Sequence, residues 1–156
     1  MDVTGDDLAG VVDLFGGLTR TELQSALEEL AFKRGDDRSG ETFAPAIEDA
    51  LDSYHLVAVA DGPTPDPLLV AGPVAFPTLP DGATDLPHIM DVPDRKVDEA
   101  TASLAARSRL EADAECAIDA DDRDRIETLL DVSYDLDTWG GVDASDVRDR
   151  LERARE

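Results

Sequence analysis

Histidine, cysteine, serine and clustered carboxylates are the groups with which a small protein does chemistry, and this chain places few of them to do it. His55 and His88 are its two histidines, and neither has a neighbour at zinc-ligand spacing. Cys116 is the single cysteine, so no internal disulfide can form. It stands beside Ala117 and Ile118 in a helical pattern, where a small buried thiol is expected. Asp119, Asp121, Asp122 and Asp124 suggest a calcium loop. Such a loop needs Gly at its sixth position and Glu at its twelfth; here these are Asp124 and Leu130. The cluster therefore reads as helix capping, with Asp121 and Asp124 as the capping residues. No nucleophile elbow, phosphate-binding loop or dinucleotide fingerprint occurs. The expectation is a protein that is not an enzyme and has no catalytic, cofactor-binding or metal-binding residues.

Charge is the strongest compositional signal. The 156 residues carry 37 acidic and 14 basic side chains, a net charge of -23. The excess is -9 over residues 1–60, -4 over 61–96 and -10 over 97–156, so it forms a coat and not a tail. Asp outnumbers Glu by 26 to 11 and Arg outnumbers Lys by 12 to 2. In dilute buffer such a charge repels itself and opposes compaction. At molar ionic strength the Debye length falls to about 3 Å and the repulsion is screened. Short hydrated carboxylates in place of long lysine stems suit that setting. An acidic mimic of nucleic acid would instead focus its charge on one face. No apolar run reaches the roughly 18 residues of a membrane span, and Met1-Asp2-Val3 lacks the basic start of a signal peptide. A cytoplasmic location is expected.

The elements that would carry any site follow from hydrophobic spacing. Leu8, Val11, Val12 and Phe15 share one face of a helix over residues 6–15, ended by Gly16-Gly17. Thr19 and Glu22 form a capping box for a second helix with the stripe Leu23, Ala26, Leu27, Leu30 and Ala31. A third, over residues 42–54, carries Phe43, Ala46, Ile47, Ala50, Leu51 and Tyr54, with Pro45 tolerated in the first turn. The period then changes. Leu56 to Ala60 and Leu68 to Ala71 read as a hairpin around the loop Asp61 to Pro67, with Val74 to Phe76 as an extension of the second strand. Residues 77–96 form a Pro-rich strap whose Leu79, Leu86, Ile89, Met90 and Val92 need something to cover them. Beyond it the chain is helical, with Val97, Leu104, Leu110, Ala114 and Ala117, then Ile126, Leu129 and Leu130, then Val147, Leu151 and Ala154 as buried stripes. Trp139, with Tyr134 nearby, is expected to plug the core in a chain this poor in aromatics.

Three helices followed by a hairpin is the order of the winged helix, and residues 6–76 resemble that family. The resemblance implies a third helix that reads DNA or binds a protein. Here that helix is 42–54, its outer side carries Glu48, Asp49, Asp52 and Ser53, and it has no Lys or Arg. Phosphate contacts need cations. The DNA-binding alternative therefore rests on Arg20, Lys33, Arg34 and Arg38, and a protein partner is the favoured expectation. The chain also resembles a family of small acidic proteins from salt-loving archaea. That likeness is carried by Asp6 and Leu8 to Gly16, Glu29 to Gly35, Pro73 to Pro80, Asp85 to His88 and Asp124 to Asp131. The expected architecture is α+β, mostly α: a winged-helix-like unit over 1–76, the strap over 77–96, and a helical region over 97–156 packing on the first unit. The expected role is a regulatory protein-interaction module.

Overall fold

Capping chemistry sets where the chain turns. In the computed structural model, which describes residues 2–60 and 64–156, Thr4 and Asp7 close a capping box that opens α1 (Gly5–Phe15). Thr19 and Glu22 do the same for α2 (Arg20–Lys33). Each box satisfies two amide donors that a helix start leaves unpaired. α3 (Ala44–Asp52) is entered through a 3-10 turn, Gly40–Phe43, with Pro45 in its first turn. Two residues past its end stands Tyr54, a buried non-glycine residue at φ 65°. That left-handed conformation costs roughly 1–2 kcal/mol. Three backbone bonds hold it: His55 N–H to Ala50 O (2.9 Å), Gly72 N–H to His55 O (2.8 Å) and Val74 N–H to Tyr54 O (3.2 Å).

β1 (Leu56–Val59) pairs antiparallel with β2 (Leu68–Ala71), Leu56 opposite Ala71 and Val59 opposite Leu68. Leu18, in the turn between α1 and α2, adds an isolated antiparallel bridge to Leu69 on the other side of β2. The expected hairpin is present, with Asp61, Gly62 and Pro63 of its loop outside the described residues. The second strand stops at Ala71, because Val74 and Ala75 turn back to bond Tyr54 O and Gly72 O. Leu8, Val11, Val12, Phe15, Leu23, Leu27, Leu30, Ile47 and Leu56 form the core of this first unit, which ends at Asp98.

The second unit, Glu99–Glu156, is a three-helix hairpin of α5 (Glu99–Asp119), α6 (Arg123–Gly140) and α7 (Ser145–Arg155). α4 (Leu86–Ile89) is a single turn within the strap of the first unit. Ala102, Ala106, Leu110, Ala114 and Ala117 of α5 meet Ile126, Leu129, Val132 and Leu136 of α6 and Val147 and Leu151 of α7 in a small-residue core. Arg148 joins α6 to α7: its guanidinium donates to Ser133 Oγ and O (both 3.0 Å) and to the Asp137 carboxylate, and it lies 4.2 Å from the Tyr134 ring centre. With seven helices and one two-stranded antiparallel hairpin among the described residues, the protein is α+β, mostly α.

Candidate functional site

Among the described residues the strap is a long, mostly irregular segment broken only by short turns of helix, and α1 supplies groups that fix it. Asp6 stands in the first turn of α1, where a carboxylate is favoured by the helix dipole. Its Oδ1 accepts from Phe76 N–H (2.9 Å) and its carbonyl accepts from Thr78 N–H (3.0 Å). Asp7 Oδ1 accepts from the Thr78 hydroxyl (2.8 Å). Gly10 lies directly under this crossing, and a Cβ there would meet Thr78 O at 1.8 Å. Further on, Ala83 and Leu86 are fully buried in the core, and Met90 and Val92 pack against it.

The far end is held by charge. Arg95 N–H donates to Phe15 O (2.8 Å), and the Arg95 guanidinium donates to both oxygens of Glu22 (2.5 and 3.0 Å) and to Gly17 O (3.2 Å). Gly16, at φ 78°, leaves room for the Arg95 carbonyl, which would stand 1.6 Å from a Cβ. The pair is largely withdrawn from water, with side-chain exposures of 9% for Arg95 and 24% for Glu22. The hydrogen bonds from Arg95 hold the Glu22 carboxyl below its ordinary range, against the opposing effect of burial. Those same bonds raise Arg95.

This fastening leaves large apolar side chains outside. Phe76 is 80% exposed and Leu79 is 50% exposed, on backbone that α1 holds at two consecutive points. Phe32, at the end of α2, is 74% exposed. An apolar side chain on the surface is ordinary when scattered; one carried on a pinned, proline-flanked segment is a preorganised contact.

The four cations of the DNA-binding expectation lie on three parts of the first unit. Arg20 pairs with Glu48 of α3. Lys33 bonds Asp85 Oδ2 (3.5 Å) and Gly82 O (3.4 Å), and Arg34 bonds Asp81 O (3.2 Å), so these two meet on the strap. Arg38 pairs with Asp36 (3.1 Å), and its guanidinium carbon stands 5.9 Å from the centre of the Phe43 ring. On α3, Glu48, Asp49 and Asp52 face solvent, as expected of its outer side.

The residues of catalytic type are engaged in structure. Ser53 Oγ lies 2.6 Å from His55 Nδ1, and Asp6 Oδ1 lies 3.7 Å from His55 Nε2. Serine, histidine and aspartate in series is the order of nucleophilic catalysis. Here Asp6 already accepts Phe76 N–H, the Ser53 hydroxyl is 3.3 Å from Ala50 O, and the imidazole lies against Gly5, where a Cβ would be 2.5 Å from the ring. The trio clips the end of α3 to the start of α1. Asp6 is far in sequence from Ser53 and His55, so spacing gave no sign of the trio.

Four expectations are corrected in the second unit. Cys116 is exposed, because α5 turns Ala114 and Ala117 inward and the two positions between them, Glu115 and Cys116, outward. Leu104 is 58% exposed, its neighbours Ala102, Ser103 and Ala106 forming the buried face. Trp139 is 37% exposed and no core plug; at that end of α6 Gly140 packs on Ser103, whose hydroxyl donates to Gly140 O (3.1 Å). In the aspartate cluster it is Asp122 that caps α6, accepting from Arg125 N–H (3.2 Å). Among the described residues no three His, Cys, Asp or Glu side chains gather to hold a metal ion, and no helix is long and apolar enough to cross a membrane.

A family model whose description is a family of unknown function matches residues 6–156, nearly the whole chain. No curated protein and no solved structure matches it.

Proposed function

We propose that this chain, which belongs to a family of unknown function (DUF7109), is a non-enzymatic, regulatory interaction module that docks on another protein through its strap. The observation that carries this reading is Phe76, 80% exposed on a segment bonded through its own amide to Asp6. Burying Phe76 under a partner would return roughly 1.5–3 kcal/mol and burying the half-exposed Leu79 about half as much, and little backbone entropy remains to be lost at that point.

The setting we propose is a cytoplasm of concentrated salt, the reading that accounts at once for the net charge of -23, the excess of Asp over Glu and the scarcity of Lys. The order of three helices and a hairpin, with the Leu18–Leu69 bridge beside β2, supports a winged-helix reading of the first unit. DNA is the second partner considered. It is disfavoured because Arg20, Lys33 and Arg38 are each held by a carboxylate and Arg34 by a carbonyl, so phosphate would have to displace them.

The test is affinity recovery from a lysate kept at molar salt, comparing the natural chain with a Phe76→Ser, Leu79→Ser double variant. Exposed positions such as these change stability little, within about 0.5 kcal/mol each. The reading expects a protein retained by the natural chain and lost by the variant. Recovery of DNA fragments alone, or of the same protein by both forms, overturns it.

A further inference from the structure

We infer that α5 and α7 form a self-association face through which two copies of this chain pair about a two-fold axis. The surface lies in the second unit and is independent of the strap.

The starting point is a break in the acidic coat. α1 and α3 each carry three acidic residues and no basic ones, α2 three against two, and α5 and α6 five against two. α7 alone among the described helices reverses the balance, with four arginines against three acidic residues. Two of those arginines serve the unit itself: Arg148 is tied to Asp137 and Arg155 to Glu127. The other two are not neutralised. Arg153 donates only to the Asp149 carbonyl (3.3 Å), and no carboxylate of the described residues ion-pairs with Arg150 or Arg153.

These two guanidinium groups line one wall of an open groove of about 500 Å³. The opposite wall is α5, which contributes Glu115 and Asp119, and Ile118 and Ala154 supply apolar surface between them. A two-fold interface brings residue i of one copy to residue j of the other and j back to i. A groove with cations on one wall and carboxylates on the other is complementary to itself under that operation. Arg150 and Arg153 of each copy meet Glu115 and Asp119 of the other, over Ile118 and Ala154. Where salt is low enough to leave charge unscreened, two copies each bearing a charge of -23 repel through other approaches, so the place where the coat reverses sign selects the docking geometry.

The experiment is sedimentation equilibrium of the full chain across micromolar to submillimolar concentrations, in the lowest potassium chloride at which it is folded. The expected mass is that of two copies. Arg150→Glu with Arg153→Glu is expected to raise the dissociation constant at least tenfold. The reciprocal variant Glu115→Arg with Asp119→Arg does the same, and mixing the two restores the two-copy mass as a heterodimer. That rescue separates a lost interface from a damaged fold, since neither variant can regain mass alone. A single-copy mass at every concentration, or a dimer that both variants leave intact, overturns the inference. So does a chain that stays single while Arg150 and Arg153 bind inorganic pyrophosphate, which makes the face an anion site.

Discussion

Arg95 and Glu22 show what one residue pair contributes in a protein whose surface offers carboxylates everywhere. Most of its cations have a nearby acid, yet an exposed pair contributes only about 0–1 kcal/mol. Arg95 differs because its side chain is 9% exposed and engages Glu22 with both terminal nitrogens. Arg95→Ala is expected to destabilise the first unit by about 2 kcal/mol, read from chemical unfolding, since it strands a partly buried carboxylate. The same pair sets an acid limb. Glu22 has a folded pKa below its unfolded one, so its contribution is fully present above the unfolded value of about 4.3 and is lost as pH falls through the depressed folded value. Glu22→Gln should flatten the fall in stability below about pH 4.5; an unchanged acid limb would contradict the assignment. Arg148 makes a parallel case in the second unit. Arg148→Lys keeps the charge but cannot reproduce the fork to Ser133 and Asp137, so it should lower the melting temperature nearly as much as Arg148→Ala.

Between elements, close backbone approach decides more than side-chain chemistry. Gly10→Ala places a methyl against Thr78 O at 1.8 Å and is expected to lift the strap from α1, with loss of several kcal/mol and new proteolytic cleavage between residues 76 and 96. Gly35→Ala is the control: φ is 75° but nothing lies within 4 Å, so only the backbone cost of about 1–2 kcal/mol applies. If the two cost the same, the strap is not seated as described. The helices of the first unit were legible because their apolar residues recur every three to four positions and their caps are local, as at Thr19 and Glu22. The second unit was less so. Its core rests on Ala102, Ser103, Ala106 and Ala114, small residues that leave almost no periodic signal, so Leu104 drew the stripe to the wrong face. The strap's anchors were not legible at all, since Arg95 and Glu22 are 73 residues apart and Thr78 and Asp7 are 71 apart. Long-range pairs write nothing into local spacing.

Across the whole molecule the issue is what the negative charge is for. The acidic residues are spread over every segment, and no metal-binding group of carboxylates forms among the described residues. Even α3, where a winged helix would read DNA, turns Glu48, Asp49 and Asp52 outward. On the proposed reading the coat is a solvation device that keeps the surface wet in concentrated salt, where its self-repulsion is screened. Its cost appears in dilute solution, where the Debye length grows to about 10 Å at 0.1 M and the carboxylates repel across the surface. Unfolding of the full chain followed by circular dichroism from 0.05 to 3 M potassium chloride (concentrations on the order of those that span this range of screening) tests the idea most directly. The midpoint should rise continuously with salt and cooperativity should fade at the low end. A sharp transition whose midpoint is flat, or highest at the lowest salt, would contradict it.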